Sequence, residues 1–408
     1  MASPSERLEE LLRAAIGEGA SDLHLEPRDR RLEVRHRIDG RLISRGFVEA
    51  RFSDSIIQAA KIAGHMDIAE RRLPQDGQGE IARGERRYHL RFSSLPAVNG
   101  EALVIRIIDE HVGVRTFAEM GLFPPDIERV RELLSLPHGL VYVTGPTGAG
   151  KTTLLYAMLH NLPAEEIDAL KIITLEDPVE ARHPRFFLQL GVDERIGRTF
   201  SELLRHVLRH DPDVLLIGET RDLPTAEITL KAALTGHLCF STLHTPDALG
   251  AIERLKDIGL DPLMVASALK GVIAQRLVRR PCGACARPHP EDQRLRQRFA
   301  ALLTAAEGPG SFLQARSGGC PACQGRGYRG RTAIAEVFPL AGLERLVAQA
   351  AGPAALLPRL RARGCATLFE DGVRKAARGL TTLEEVHAAV ERPASNGSCY
   401  LPSACPPP

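Results

Sequence analysis

Apolar positions in the first part of the chain switch between helical spacing and strand spacing. Residues 5–16 repeat apolar side chains at helical intervals and predict an amphipathic helix. The segment "SDLHLEP" alternates as a strand does, and "LEVRHRIDGRLI" predicts a hairpin that turns at Asp39 and Gly40. A helix is predicted near 53–64, and strands at about 78–82, 87–94 and 101–108. The pattern predicts an N-terminal α/β domain over residues 1–115.

A second pattern begins near residue 127, where apolar strands alternate with helices. The strands are "GLVYVTG", "LKIITLED", "DVLLIGE" and "LCFSTLH", and the predicted helices are 152–161, 200–209, 225–234, 247–257 and 263–277. Such alternation predicts a mostly parallel sheet covered by helices. A Gly- and Pro-marked linker, 116–126, separates this second domain, 127–392, from the first. The Pro/Ser/Gly-rich tail 393–408 is predicted to be disordered.

Composition and charge are those of a soluble globular protein with more than one domain. The 408 residues are 44% hydrophobic and 25% charged. With 53 basic against 51 acidic residues, 4% aromatics and no tryptophan, nothing indicates nucleic-acid binding. The stretch "RDRRLEVRHRIDGRLISR" is interpreted as a solvated face, or as arginines aimed at a neighbouring subunit's nucleotide. No apolar run reaches bilayer length and no signal peptide begins the chain, so a cytoplasmic location is expected.

The stretch "VTGPTGAGKTT" carries the chemistry of phosphate binding. It fits the pattern G-x-x-x-x-G-K-[ST], in which backbone N–H groups surround phosphate, a lysine neutralises it and a hydroxyl reaches Mg²⁺. A buried strand before it and a helix after it make a chance glycine-rich turn the weaker interpretation. The predicted binding residues for ATP and Mg²⁺ are Gly145, Pro146, Thr147, Gly148, Ala149, Gly150, Lys151, Thr152 and Thr153.

Carboxylates follow two other predicted strands. "DPDVLLIGETRD" ends at Gly218 and Glu219, where the usual pattern has an aspartate in place of Gly218. The box "ITLEDPVE" supplies three acids, Glu176, Asp177 and Glu180. Three carboxylates beside a strand end favour a metal–nucleotide site over a structural cluster, because burying them without cations is costly. His244 follows the next strand, where a γ-phosphate sensor would lie; a histidine there can also be merely hydrogen-bonded.

The eight cysteines do not indicate a disulfide framework in a chain of this size. Four of them form two C-x-x-C pairs with 34 residues between them: Cys282, Cys285, Cys320 and Cys323. This spacing presents four thiolates to one tetrahedral Zn²⁺, and a redox pair is the rival interpretation. The insertion spans 281–330, with a small helical arm at "EDQRLRQRFAALL", and a helical part follows over 331–392. Cys239 is predicted to be a packed core thiol, whereas Cys365, Cys399 and Cys405 carry no signal.

Ten ordered motifs together resemble one family, the type II secretion and type IV pilus assembly ATPases (the GspE/PilB branch of the secretion ATPase superfamily). The resemblance covers residues 5–392. It rests on "ASDLHLEP", "RIDGRL", "RRLPQDGQ", "RFSSLP", "GEALVIRII", "GPTGAGKTTLLYA", "ITLEDPVE", "RHDPDVLLIGETRD", "TGHLCFSTLHTPDA" and "GLTTLEEV". It implies a RecA-like P-loop NTPase core with a smaller N-terminal α/β domain and a zinc-knuckle insertion. In this family a glycine at the position of Gly218 is typical, and the acids of the "EDPVE" box compensate for the missing aspartate.

The resemblance also implies roles for single residues. Lys151 and Thr152 would bind phosphate and Mg²⁺, Glu219 would belong to the atypical Walker B site, and Glu180 would polarise the attacking water. His244 and His237 would form a histidine box. Members of the family resemble hexameric rings, in which arginines matching Arg91 and Arg106 reach the nucleotide of a neighbouring subunit.

The function implied is a cytoplasmic hexameric motor ATPase, peripheral to the inner membrane, that assembles pilin-like filaments. Expected partners are other copies of the chain, inner-membrane platform proteins and acidic phospholipid. The zinc element favours filament assembly over pilus retraction, because the resemblance implies that pilus retraction motors generally lack such an element. Many relatives carry a further N-terminal docking domain, so either docking uses another surface of this chain or the chain is a shortened member. The alternatives are a nucleic-acid translocase on a similar core and a nucleotide-binding regulator that does not hydrolyse ATP. The sequence does not distinguish between a secretion pseudopilus, a pilus and a DNA-uptake filament as the structure that is assembled.

Overall fold

The structure, a computed structural model, describes residues 3–29, 31–84, 86–109, 115–163, 169–181, 183, 187–303, 310–349 and 352–390. The tail predicted to be disordered, with Cys399 and Cys405, lies outside the described residues. The chain forms two compact units: Met1–Gly113 with residues 180–182, and the remainder. Each unit has its own hydrophobic core.

The N-terminal unit is a six-stranded antiparallel sheet with two helices. Its elements are α1 (Pro4–Gly17), β1 (Asp22–Arg28), β2 (Arg31–Ile38), β3 (Arg41–Val48), α2 (Ala50–Ala63), β4 (Gln75–Arg83), β5 (Arg86–Ala97) and β6 (Gly100–Asp109). The strands lie in the order β3-β2-β1-β6-β5-β4. Asp39 and Gly40 turn the predicted hairpin with φ of 49° and 83°, the left-handed backbone that a two-residue turn requires. The α/β architecture predicted for this part of the chain is confirmed.

The second unit begins with two helices and a strand–helix alternation. These elements are α3 (Phe117–Met120), α4 (Pro124–Leu134), β7 (Gly139–Thr144), α5 (Lys151–His160), β8 (Ile172–Glu176), β9 (Leu188–Gly191), α6 (Phe200–Val207), β10 (Val214–Ile217), α7 (Leu223–Leu234), β11 (Leu238–Leu243), α8 (Gly250–Ile258), α9 (Pro262–Ala268) and β12 (Leu269–Pro281). The cysteine-bearing insertion and the C-terminal part follow as β13 (Arg287–Pro288), α10 (Asp292–Arg298), β14 (Leu313–Gln314), β15 (Tyr328–Pro339), α11 (Glu344–Ala348), α12 (Pro353–Ala362), α13 (Leu368–Ala377) and α14 (Leu383–Ala389).

A seven-stranded sheet organises this unit, in the order β15-β12-β7-β11-β10-β8-β9. All neighbouring pairs are parallel except β12 with β15. Strands β7, β8, β10 and β11 are buried along their whole length, as expected of a parallel sheet with helices on both faces. The carboxyl ends of these four strands lie at one edge of the sheet, where the segments predicted to carry the chemistry begin.

One predicted element is wrong: residues 263–277 are not a single helix. Helix α9 ends at Ala268, and the chain continues at once as the long strand β12 between β7 and β15. A strand buried on both faces is a continuous apolar run, which periodicity cannot distinguish from a buried helix. At Gly271 a Cβ would lie 2.7 Å from the Leu133 side chain, so this glycine lets α4 approach the strand.

The arm between the cysteine pairs packs against the chain's own C-terminal helices. Phe299 and Phe312 of the arm share an apolar cluster with Val373 and Ala376 of α13 and with Leu383 of α14. Two arginines form hydrogen bonds between the arm and α13. Arg374 Nε donates to Leu302 O at 3.1 Å, and Arg296 Nη2 donates to Ala377 O at 3.1 Å. The apolar side of the arm is therefore covered within the chain.

Candidate functional site

The phosphate loop leaves β7 and enters α5 at the carboxyl edge of the sheet. Gly145, Gly148 and Gly150 have φ of 152°, 77° and 85°, a backbone that glycine alone adopts without strain. Lys151 is the first residue of α5, and its Nζ donates to Gly145 O at 2.8 Å and Pro146 O at 3.2 Å. The lysine thus folds back over the loop, and the nine predicted nucleotide residues occupy the turn and the start of the helix. A helix N-terminus and a lysine converging on one loop suit an anionic phosphate.

Glu219 and His244 lie at the same edge, after the neighbouring strands β10 and β11. His244 Nε2 is 3.9 Å from Glu219 Oε2, and Arg221 Nη2 is 2.5 Å from Glu219 Oε1. Burial lowers the pKa of His244, the positive charges of Lys151 and Arg221 lower it further, and Glu219 only partly opposes them. The imidazole is therefore neutral at pH 7 and lies within the electrostatic range of Lys151. The structure brings these three predicted residues together.

A close approach of two strands accounts for glycine at position 218. A Cβ on Gly218 would lie 3.0 Å from Leu175 O and 3.4 Å from Glu176 Cα, so an aspartate side chain would press against β8. Its backbone is fixed on both sides, because Gly218 N donates to Leu175 O at 2.7 Å and Thr242 Oγ1 donates to Gly218 O at 2.7 Å. The departure from the usual acidic pair has a local packing cause.

Glu176 is buried in a hydrogen-bond network that joins β8 to α5. Its Oε1 accepts from Thr174 Oγ1 at 2.6 Å and from Gln189 Nε2 at 3.1 Å, and its Oε2 accepts a short hydrogen bond from the Tyr156 hydroxyl. Buried charges are ordinarily paired or hydrogen-bonded, and this carboxylate is satisfied by neutral donors. Of the three acids in the box, Glu176 therefore serves the packing of the unit.

The other two acids of the box are exposed. Asp177 follows β8 directly, and Glu180 belongs with residues 180–182 in the N-terminal unit. The general-base role of Glu180 stays a prediction. His237 lies at the opposite end of β11 from His244, and its Nδ1 is 3.0 Å from Ala232 O at the end of α7. The structure does not bring the two histidines of the predicted box together, since a six-residue strand spans roughly 20 Å.

Arg91 and Arg106 are neighbours in the N-terminal sheet. They occupy directly opposite positions of β5 and β6, and Arg106 is also opposite Asp22 of β1. The Arg106 Nε is 3.0 Å from Asp22 Oδ1, although the arginine side chain is 58% exposed. Arg37 lies opposite Asp22 on its other side, with Nε 3.7 Å from Oδ2. The strand register thus places Arg106 and Arg37 on either side of one buried carboxylate, with Arg91 beyond Arg106.

Sequence reasoning missed one residue in contact with the phosphate loop, Gln275 of β12. Its side chain is fully buried, and its Nε2 donates to Ala149 O at 2.7 Å. The helix wrongly predicted over this segment hid the contact. The order of strands would have revealed it, because Ala274 pairs with Thr144 at the point where β7 enters the loop.

The four cysteines of the two C-x-x-C pairs form a compact cluster. Their sulfurs all lie within 4.8 Å of one another, with Cys282–Cys320 and Cys285–Cys323 separations of 3.9 Å. A Zn–S bond of about 2.3 Å gives a tetrahedron with S–S edges of roughly 3.8 Å, so the arrangement fits zinc. Burial opposes ionisation of Cys323, but N–H groups of Cys320 and Gly327 donate to its sulfur and lower its pKa to about 6. The cluster fits a closed structural zinc site.

Comparisons with known proteins identify the family of this chain. Residues 2–388 match the sequence profile of the type II/IV secretion system proteins. The chain belongs to that family. The type II secretion system ATPase E of Vibrio cholerae is 40% identical over 377 residues, which are 92% of this chain and 73% of the relative. The type IV pilus assembly ATPase PilB of Myxococcus xanthus is 41% identical over 383 residues, 92% of this chain and 66% of the relative.

Solved structures of the family share the fold. The pilus retraction motor PilT with bound ADP is 26% identical, with a TM-score of 0.60, and the alignment covers 94% of this chain and 97% of that one. The ATPase DotB of Legionella pneumophila is 18% identical with a TM-score of 0.66, covers 95% of both chains, and supports the fold alone. The predicted family and the RecA-like secretion ATPase fold are confirmed, and this member of the secretion system family is an ATP-hydrolysing enzyme. Among the described residues, no helix combines the length and apolar composition needed to cross a membrane.

Proposed function

We propose that this chain is the motor ATPase of a machine that assembles pilin-like filaments, for type II secretion or for type IV pilus extension. One observation carries the proposal. A phosphate loop with Lys151, and the flanking Glu219 and His244, converge at one sheet edge in a chain that matches secretion and pilus-assembly ATPases over 92% of its length. The four-cysteine cluster favours the assembly branch, because the resemblance implies that pilus retraction motors generally lack it.

The residues of the loop divide the work of holding the substrate. Lys151 leaves the carbonyls of Gly145 and Pro146 when a β- or γ-phosphate oxygen offers it a stronger, charged acceptor. The N–H groups at the start of α5 add donors of fixed direction. Thr152 would hold Mg²⁺ through its hydroxyl, and the ion would supply charge neutralisation between the phosphates.

The proposal assigns proton transfer and sensing to three further side chains. Glu180 orients and deprotonates the attacking water, as an exposed carboxylate on the segment after β8 can do. Glu219, held by Arg221 and beside His244, forms the atypical second acidic site. A neutral imidazole has one N–H donor and one acceptor nitrogen, so His244 can form a hydrogen bond at the γ-phosphate.

The ring and its partners are part of the same proposal. Six copies would form a ring in which Arg91 and Arg106 reach the nucleotide of a neighbour, and this coupling would convert hydrolysis into relative movement of the units. The motor would work in the cytoplasm, at the inner face of the membrane, against platform proteins and acidic phospholipid. Zinc, bound by the four cysteines, would keep the insertion folded.

Stimulation of ATP hydrolysis separates this proposal from its rivals. The purified chain is assayed alone, with vesicles containing acidic phospholipid, and with single-stranded DNA. We expect basal hydrolysis that single-stranded DNA leaves unchanged. Stimulation by DNA alone would instead establish the nucleic-acid translocase, and nucleotide binding without any hydrolysis would establish the regulator.

A further inference from the structure

Gln275 is a polar side chain at the end of the buried stretch 271–275 of β12. It lies on β12, opposite Ala335 of β15 and one residue beyond the pairing of Ala274 with Thr144 of β7. Its Nε2 donates to Ala149 O at 2.7 Å, which is inside the phosphate loop. Its Oε1 is buried and has no hydrogen-bond partner among the described residues. Only the N–H end of an amide can donate to a carbonyl, so the chemistry fixes its orientation.

The loop is pressed against this glutamine at both of its ends. A Cβ on Gly150 would lie 2.7 Å from Gln275 Nε2, and a Cβ on Gly145 would lie 2.6 Å from Gln275 O. Arg276 joins β12 to the segment after β11, because its guanidinium donates to Gln275 O at 3.1 Å and to the carbonyl of Pro246. Two of the pattern's glycines are thus required by the approach of β12 as well as by phosphate.

The hydrogen bond from Gln275 Nε2 to Ala149 O also sets the direction of the next N–H group of the loop, that of Gly150. In a planar trans peptide the C=O and the next N–H point in opposite directions. Because Gln275 holds the carbonyl of Ala149 toward β12, the N–H of Gly150 points away from β12. The N–H groups of a phosphate loop act only when they converge on the phosphate oxygens.

We propose that Gln275 is a positioning residue of the phosphate loop: it fixes the peptide between Ala149 and Gly150 so that the Gly150 N–H faces the nucleotide's phosphates before the nucleotide binds. The inference rests on the proposed function, because it presumes that this loop binds the phosphates of ATP. Gln275 itself touches no substrate. It acts through the backbone of Ala149.

Two substitutions separate positioning from packing. Gln275→Met keeps the length of the side chain and removes the donor, so ATP and ADP should bind about five- to tenfold more weakly, the effect of one hydrogen bond. Gln275→Glu introduces a titratable donor. When neutral, the new carboxyl can donate to Ala149 O, and when ionised it repels that oxygen. Burial raises the pKa of such a group, so affinity should approach that of wild type near about pH 5.5 and fall toward about pH 8.5.

Equilibrium binding of ATP and ADP is measured across this pH range for the wild type and both variants, with thermal unfolding as the check on folding. Gln314→Met, the same change at an exposed position of β14, is the matched control and should bind as wild type. Wild-type affinity in Gln275→Met would overturn the inference. So would a pH profile of Gln275→Glu that superimposes on that of Gln275→Met. If Gln275→Met does not fold, the profile of Gln275→Glu against that of the wild type decides alone. Lys151→Ala binding as tightly as wild type would instead overturn the proposed function.

Discussion

Arg91 on β5 and Arg106 on β6 are directly opposite cross-strand neighbours in the N-terminal sheet. Like charges at such positions destabilise a sheet, and the single buried carboxylate of Asp22 pairs with Arg106. Two adjacent guanidinium groups, one of them 58% exposed, form a surface suited to phosphate oxygens.

The first prediction is that these arginines act on a neighbouring subunit. Arg91→Ala and Lys151→Ala should each lose most ATP hydrolysis when assayed alone. In mixed rings, a subunit with an intact Lys151 can lie beside one with an intact Arg91, so mixing the two variants should restore part of the activity. The rate of phosphate release from mixtures, after time for subunit exchange, measures this.

The matched control for Arg91 is Arg86→Ala. Arg86 lies on the same strand and is exposed, with its Nη1 3.7 Å from Asp109 Oδ2. That variant should hydrolyse ATP as wild type. No recovery in the mixed rings would place Arg91 outside the neighbouring site.

The second prediction separates binding from hydrolysis within the site. Lys151→Ala should weaken ATP binding, because it removes the positive charge that the phosphates meet. Glu180→Gln should leave binding largely intact and slow hydrolysis by at least about 10²-fold, if the carboxylate is the general base. Nucleotide affinity and single-turnover hydrolysis measure the two effects independently.

A wild-type rate in Glu180→Gln would assign the base to another carboxylate. Glu219 would then be the candidate, because Glu176 is engaged by Tyr156 and by other neutral donors. Glu219→Gln is the variant that completes the comparison.

The third prediction concerns acid stability and a half-buried histidine pair. His160 Nε2 is 3.2 Å from His183 Nδ1, and burial, together with His183, lowers the pKa of His160 to about 4. An unfolded chain has a histidine pKa near 6.5, so it binds the proton first as the pH falls. Between about pH 6.5 and pH 4 the unfolded state therefore holds more protons, and stability falls with falling pH.

Replacing that histidine should flatten the dependence. His160→Gln cannot take up the proton, so its melting temperature should fall less between pH 7 and about pH 5 than that of the wild type. The exposed His210→Gln serves as control and should follow the wild type. Parallel curves for His160→Gln and wild type would show that His160 titrates normally in the folded chain.

Local patterns predicted the parts of this protein that are local in the chain. The phosphate loop, the hairpin at Asp39 and the two C-x-x-C pairs depend on short spacings, and each lies where its residues indicated. The nature of β12 depends instead on its two partners, β7 and β15, which are distant in sequence. An apolar run is compatible with helix or strand until such partners are known.

The same limit applied to single side chains. Glu176 stood beside two other acids in the sequence, and only the fold reveals that Tyr156 and Thr174 engage it. Gln275 had no local signal, because its bond to Ala149 joins residues 126 positions apart. Pairwise contacts of this kind follow from strand order, which hydrophobic patterning does not specify.

The last prediction concerns the metal and what it holds in place. The purified, reduced chain should contain about one zinc, bound by the four clustered thiolates with no open position. The arm between the two pairs packs on α13 through Phe299 and Phe312. The metal centre joins the two ends of this arm, which also covers the C-terminal helices. Cys320→Ser should lose the zinc and raise amide hydrogen exchange in α13 and α14, because metal binding and local folding are coupled.

Nucleotide binding is the measurement that tests whether this effect stays local. The four cysteines form a small cluster of their own, whereas Lys151 begins helix α5, so Cys320→Ser should bind ATP as the wild type does. Cys365→Ser, a change at a buried cysteine outside the cluster, should keep its zinc. Reduced protein without zinc would refute the assignment of the metal. A Cys320→Ser variant that loses zinc without faster exchange in α13 would show that the arm is held by its apolar contacts alone.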